Sequence, residues 1–382
     1  MKKRSKNIGS SPGGFQHVGL FLPNFDGGGA ERAFVNLARG IAELGHRVDL
    51  VVGNATGPLR SEVSPLVRVV DLGASRLALA LPGLVRYLRS ERPELVYSAL
   101  EEAGILALLA RRLSGVGAKM IPSIRNTLSD EARVSSPKRK FLLLLARWLY
   151  PSADAVIAVS KGVAKDAAGV LHLPLASIHV IRNPTLTPDL REAAMQPVDH
   201  AWFTPKSVPV ILGCGRLAPQ KDFATLIEAF ALVRAERPCR LMILGEGPLR
   251  QELTRLAGER GVAEDVAMPG FDSNPYRYMG RCDVFVLSSL FEGSPNVVVQ
   301  ALACGAPVVS TDCPSGPDEI LEGVTRGKLV PVGNAERMAA AINHFLDGGA
   351  DGPVIVDLAG FDYIEAARNY LGVLKQETAR GK

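Results

Sequence analysis

The chain has 382 residues, 47% hydrophobic and 22% charged, with a net charge of +5 and a sequence pI near 8.9. That length exceeds one ordinary domain, and the balance is that of a globular α/β protein rather than a disordered or fibrous one. The mild basicity suits an anionic small molecule or a membrane surface and does not require nucleic acid.

The first residues, "MKKRSKNIGSSPGG", are basic and lack an apolar core segment. They read as a disordered arm over residues 1–14 and not as a signal peptide. From His17 onward, β-rich runs alternate with amphipathic stretches. "HVGLFLP", "RVDLVVG", "LVRVVDL", "ELVYSAL", "KMIPSI", "AVIAVS" and "IHVIRNP" read as strands. Helical patterns such as Ala30–Leu44 and Glu102–Leu113 lie between them, so a parallel sheet wrapped by helices is expected. The densest apolar run, "FLLLLA", is far too short for a membrane span.

Residues 184–207 are rich in proline and polar residues and show no clear period, which is linker composition. A second α/β series follows in "VPVILGCG", "RLMILGEG", "DVAMPGF", "CDVFVLSS", "APVVSTD" and "GKLVPV". Leu226, Ile227, Phe230 and Val233 mark the buried stripe of its first helix. The expected fold is therefore α/β with two Rossmann-like doubly wound domains facing a cleft. Their expected bounds are 15–190 and 191–360, with a last helix over 361–378. Five cysteines, odd in number and without C-x-x-C spacing, argue against a disulfide framework or a zinc site and for a reducing cytosol.

Ligands of open α/β sheets bind beyond the carboxyl ends of the strands, so the loops there carry the information. "NFDGGGAER" places Gly28 and Gly29 just before a helix, where a backbone can approach a ligand closely. A flexible turn would show the same residues, and the G-K-[ST] ending of a P-loop is missing. "GCGRLAPQKDF" sets Arg216 and Lys221 around a turn, with Asp222 able to cap the next helix. Two cations over a helix N-terminus suit a diphosphate; a solvated surface pair is the bland alternative. "GEGPLRQEL" carries Gly245 and Gly247, with Pro248 suited to a helix start.

"FEGSPNVVVQALACG" places Glu292 and Gly293 in a tight turn. Ser294 is expected to cap the following helix and Pro295 to open it, with Val297, Ala301 and Cys304 as its buried face. Asn296 and Gln300 share another face, and with Glu292 they are expected to point into one cleft. The helix start would offer free N–H groups to an anion.

"GGGAER", "GRLAPQKDF", "GEGP", "PGF" and above all "FEGSPNVVVQALACGAPVVSTDCPSGPDEI" resemble the retaining GT-B glycosyltransferases of the family-4 type. The resemblance spans roughly residues 15–375 and is strongest over 208–322. It implies a nucleotide-sugar donor held mainly by the second domain and an acceptor held mainly by the first. It also implies a C-terminal helix that crosses back to the first domain, which suits Ile364–Leu374. By position, Arg216 and Lys221 would neutralise the donor diphosphate. Glu292 would hold sugar hydroxyls, and the backbone of Pro269–Phe271, Phe271 included, would meet the base. Gly28 and Gly29 would face the reacting centre.

Two departures stand out. The family's second glutamate, which grips the ribose, is Gln300 here; an amide still accepts one hydrogen bond and donates another, without the charge. The family's first-domain histidine is replaced by Arg125, followed by Asn126, and both are acceptor-side candidates. No D-x-D occurs anywhere, so no metal and no cofactor are expected. No carboxylate pair suggests a double-displacement route.

The implied activity is transfer from a nucleotide sugar, a UDP-sugar in the first instance, to a saccharide or lipid-linked acceptor with retention. A nucleotide-sugar epimerase and a catalytically weak nucleotide-sugar-binding protein are the alternatives. "SSPKRKFLLLLARWLYP" joins Lys138, Arg139 and Lys140 to a face of Phe141, Leu144, Leu145, Trp148 and Leu149. That face is either packed on the first sheet or laid on an anionic membrane. The expected location is cytoplasmic, with peripheral contact at the inner face of the membrane.

Overall fold

A computed structural model describes residues 16–133, 137–349 and 358–380; the basic arm read over 1–14 lies outside them. The thirteen segments read as strands correspond to the thirteen strands among the described residues. The first seven are β1 (His17–Leu22), β2 (Arg47–Val52), β3 (Arg68–Asp71), β4 (Leu95–Ala99), β5 (Lys119–Ile124), β6 (Val156–Ala158) and β7 (Ile178–Val180). They form one parallel sheet in the order β3-β2-β1-β4-β5-β6-β7. The other six are β8 (Val210–Cys214), β9 (Arg240–Leu244), β10 (Val266–Gly270), β11 (Val284–Leu287), β12 (Val308–Thr311) and β13 (Gly327–Val330). Their parallel order is β10-β9-β8-β11-β12-β13.

Val, Ile and Leu fill these strands because helices cover both faces, and each sheet carries one core cluster on either side. Each sheet also reverses direction once, at β1/β4 and at β8/β11. Such a switch point leaves a crevice at the carboxyl ends. The segments that follow β1, β8 and β11 hold most of the candidate residues, and the rest follow β5, β9 and β10.

The chain crosses between the sheets twice, and the crossings are bonded to each other. Thr185 and Leu186 donate to the Phe361 carbonyl at 2.9 and 3.0 Å, and Tyr363 donates back to the Leu186 carbonyl at 3.1 Å. The linker is more ordered than its composition indicates, because Asp189–Met195 forms a helix that buries Leu190. A seven-residue helix is too short to show a period in sequence.

The last helix runs from Tyr363 to Arg380, longer than its legible core. It buries Ala367, Tyr370 and Val373 against the first domain, beside the helix Gly29–Glu43. Tyr97 Oη donates to the Tyr370 carbonyl at 2.6 Å, and Tyr363 Oη donates to Glu43 at 2.5 Å. Gly40 permits the close approach: a Cβ there would stand 2.7 Å from the Tyr363 carbonyl oxygen. Ala exceeds Gly in an open helix by about 0.8–1.0 kcal/mol, whereas overpacking costs about 1–3 kcal/mol. Gly40→Ala is therefore expected to lower the urea midpoint at constant slope. A raised midpoint would show that the two helices do not meet as tightly as this.

Candidate functional site

β8 ends at Cys214, and the chain turns through Arg216 and the short helical turn Pro219–Lys221. Asp222 adopts a left-handed conformation (φ 44°) and caps the helix Phe223–Glu236 through Thr225. That cap fixes where the chain leaves the turn and so where Lys221 points. Lys221 Nζ donates to Glu292 Oε1 at 2.5 Å, and Ser289 Oγ donates to the same oxygen at 2.7 Å. The two loops are stitched further: Ser288 Oγ donates to the Lys221 carbonyl at 2.7 Å, and Gln220 Nε2 donates to the Phe291 carbonyl at 2.9 Å. Glu292 is buried, yet its Oε2 accepts no hydrogen bond among the described residues. Arg216 is exposed and its guanidinium has no hydrogen-bond or ion-pair partner among them. A paired lysine and a half-used carboxylate thus meet across two loops, and the exposed Arg216 lies on the same turn as the lysine.

The first domain closes directly over this turn. A Cβ on Gly293 would overlap the Arg125 carbonyl and crowd the Asn126 backbone. Asn296 bolts the two domains. Its Nδ2 donates to the Gly29 carbonyl at 2.9 Å, and its Oδ1 accepts from Asn183 at 2.7 Å and Thr185 at 3.0 Å. Glu319 adds a charged contact. Its carboxylate accepts the Lys161 and Gly162 N–H groups, at 3.1 and 3.0 Å, at the start of the helix Lys161–Leu171. An anion at a helix N-terminus is favoured by the orphan donors and the macrodipole.

Other candidates land differently. Gln300 is buried but its Nε2 donates to Tyr276 Oη at 3.3 Å, so no direct bond links it to Glu292. Ser294 does not cap: Pro295 holds the cap position and the helix starts at Asn296, with no side-chain cap bond. Pro295 lacks an N–H and a capping oxygen, and the Ser294 carbonyl is occupied by Asn183 instead. The buried face of that helix is Val298, Val299, Ala301 and Leu302, whereas Val297 and Cys304 are half-buried. The helix is sandwiched, so a single stripe does not describe it.

Gly245 and Gly247 have a structural reason of their own. Side chains there would overlap the Gly215 and Leu217 carbonyls of the neighbouring loop. Pro248 precedes the helix Arg250–Glu259 rather than opening it. The Phe271 ring is half exposed and lies against Gly27, so these two side the cleft opening. Gly28 caps the helix Gly29–Glu43 through its backbone, with the Glu31 carboxylate folded over it. Burial pushes the Glu31 carboxyl up.

Arg125 turns toward the returning helix. Its Nη1 donates to Tyr370 Oη at 3.1 Å, and the guanidinium stacks on Phe34 at 5.2 Å. Beside it, a cavity of about 340 Å³ opens at the carboxyl ends of β1, β4 and β5. Leu100, Glu101, Asn126 and Arg139 line it, and Arg139 pairs with the buried Glu101 at 2.6 Å. Leu100 has φ +71°, a conformation that non-glycine residues adopt only where the surroundings impose it.

Residues 27–185 match Glycosyltransferase Family 4, and residues 208–348 match Glycosyl transferases group 1. A Campylobacter jejuni protein named N-acetylgalactosamine-N,N'-diacetylbacillosaminyl-diphospho-undecaprenol 4-alpha-N-acetylgalactosaminyltransferase is 31% identical over 352 residues. The match covers 87% of this chain and 90% of that protein. The chain belongs to glycosyltransferase family 4. The lipopolysaccharide core biosynthesis glycosyltransferase LpsE of Rhizobium meliloti is 28% identical, over 84% of this chain and 86% of its own. The structure of Anabaena HepE in complex with UDP-glucose superposes with a TM-score of 0.70 at 19% identity, over 95% of this chain and 98% of that one. The two-domain architecture is thus GT-B, and the protein is a glycosyltransferase of the kind found in lipopolysaccharide and polysaccharide biosynthesis.

Several residues of this glycosyltransferase's cleft were not legible as such. Ser289 lies just past the end of β11, and Tyr276, Asn183 and Thr185 sit in segments with no motif. Glu319 carried the one usable signal, an acid just after Gly316 and Pro317 at a helix start. The Gly293 contact generates a test. Gly293→Ala is expected to prop the cleft open and to cut kcat/KM by about a hundredfold, the usual effect of displacing reacting groups by an ångström. Gly162→Ala, which would strike Ser315 Oγ, should act in the same direction. Unchanged turnover and unchanged small-angle scattering in both variants would show that the contact is dispensable.

Proposed function

We propose that this glycosyltransferase moves a sugar from a UDP-sugar to a saccharide or lipid-linked saccharide acceptor, with retention of anomeric configuration, in cell-surface polysaccharide or glycoconjugate assembly. It works at the inner face of the cytoplasmic membrane without crossing it; among the described residues no helix is long and apolar enough to span one. The observation that carries the reading is the Lys221–Glu292 pair, on whose lysine turn the exposed Arg216 also lies. The UDP and UDP-glucose complexes of HepE support the choice of nucleotide, and the diphospho-undecaprenol in the Campylobacter protein's name supports a lipid-linked acceptor.

Arg216 and Lys221 would meet the diphosphate and stabilise its charge as it leaves. The free Oε2 of Glu292 would accept a hydroxyl of the transferred sugar. Gln300, already oriented by Tyr276, would reach a ribose hydroxyl as a neutral partner. The first-domain cavity would take the acceptor, with Arg125 and Asn126 at its edge. Front-face departure leaves the phosphate to receive the acceptor proton, so no second carboxylate is needed.

Calorimetry with UDP tests the charge assignment. Arg216→Ala and Lys221→Ala are each expected to lose about 1.5–3 kcal/mol, roughly 10- to 150-fold in Kd. Glu292→Gln should reduce turnover much more than UDP affinity. Gln300→Ala should cost about 0.5–1.5 kcal/mol in UDP binding. Unaltered UDP affinity in both cation variants would remove the diphosphate from this crevice.

Metal dependence gives an independent check. The sequence offers no D-x-D, and the diphosphate charge is assigned to protein cations. Transfer is therefore expected to continue in excess chelator. An activity abolished by chelation and restored by magnesium or manganese would refute this assignment.

A further inference from the structure

The helix Pro137–Leu149 is buried on one side only. Leu143, Ala146 and Leu149 enter the first-domain core. On the other side Phe141, Leu144 and Trp148 are 61, 61 and 62% exposed, and Leu113 of the neighbouring helix Glu101–Ser114 is 56% exposed. Positions 141, 144 and 148 fall on one stripe of a helix, so the exposure is contiguous. The sequence leaves open whether this stripe is core or surface. The structure divides it: Leu149 is core, Leu145 is half-buried and the rest is surface.

Charge runs along the stripe. Arg112 lies over the Trp148 ring at 4.4 Å. Lys140 and Arg147, seven residues apart and both exposed, flank the apolar row on one side. Apolar side chains, an outward tryptophan and a parallel row of cations are what the headgroup region of an anionic bilayer accepts. A second copy of the chain fits poorly, because face-to-face pairing would bring Arg112, Lys140 and Arg147 against like charges.

Resting on the lipid-linked acceptor reading above, we propose that the Phe141–Leu144–Trp148 stripe is the membrane-docking face, seated in the interfacial layer of an anionic bilayer. The first turn of the same helix carries Arg139, which pairs with Glu101 in the wall of the first-domain cavity. Docking therefore places that cavity beside the lipid surface from which an acceptor headgroup would enter.

The chain has two tryptophans, so Trp202→Phe leaves Trp148 as the sole indole reporter. Vesicles of phosphatidylcholine with about one-third phosphatidylglycerol should shift its emission to the blue and float the protein. Pure phosphatidylcholine should do neither, and high salt should release the protein. Phe141→Ser combined with Trp148→Ser should cut vesicle partitioning by roughly tenfold or more, since two large apolar side chains are lost. The UDP affinity of that double variant should equal the parent's, which shows that the fold is intact. Parent protein that binds UDP but stays off anionic vesicles would overturn the docking face. So would a vesicle-free dimer that the double variant dissolves. Flotation without any UDP binding would leave docking standing and defeat the donor reading instead.

Discussion

Everything in the cleft depends on two backbones touching where no Cβ fits. Gly293 of the second domain lies on the Arg125 carbonyl of the first, and Gly316 packs on Pro295 and the Gly293 carbonyl just behind it. Because the loops meet main chain to main chain, the Glu292 backbone is fixed beside the first domain, and Lys221 and Ser289 then hold its carboxylate. Asn296 and Glu319 then hold that approach with neutral and charged hydrogen bonds. Glu319 acts on groups that would otherwise be orphaned, the first N–H groups of a helix, whereas Asn296 adds a bond to the Gly29 carbonyl. Separating the domains leaves these groups to water, so the closed arrangement is favoured only modestly. A cleft that must admit and release ligands needs such a balance.

The double crossing works in the same direction. Linker and return strand are hydrogen-bonded side by side at Thr185–Leu186 and Phe361–Tyr363. A paired crossing resists twist better than a single linker and still allows bending about its axis. The returning helix converts that bend into a constraint on the site, because Tyr370 hydrogen-bonds Arg125 and Arg125 supplies the carbonyl under Gly293. Arg125 is therefore tied to the hinge. Its guanidinium braces the loop, so its backbone, more than its charge, reaches the cleft.

The fold was legible nearly whole. Thirteen strands followed from Val/Ile/Leu runs between turn residues, because strands buried on both faces must be continuously apolar. What escaped was short or long-range. The helix Asp189–Met195 is too brief to show a period, and the helix that begins at Asn296 has no side-chain cap, with Asn183 on the Ser294 carbonyl. The cleft was legible where one loop carries its own chemistry, as with Arg216, Lys221 and Glu292. It was opaque where a role needs two distant segments. Nothing local distinguishes Ser289, Tyr276 or Asn183 from ordinary polar residues. Glycines 245 and 247 answer to a neighbouring loop, which nothing in their own segment shows.

Lys221 and Glu292 are bonded to each other, and this bond has a mechanistic consequence under the proposed donor reading. A carboxylate that is 7% exposed cannot stay charged cheaply without a cation, and Lys221 supplies one. A diphosphate arriving beside Arg216 competes for the same ammonium with a larger charge. As Lys221 leans toward the phosphates, Glu292 keeps the Ser289 bond and regains capacity for the sugar hydroxyls. The donor's two ends are then read by one coupled pair. A free nucleotide would draw off the lysine without satisfying the carboxylate, whereas an intact nucleotide sugar satisfies both. Buried charge that is fully paired only by the whole donor favours the substrate over its product, and it does so without a dedicated selectivity pocket.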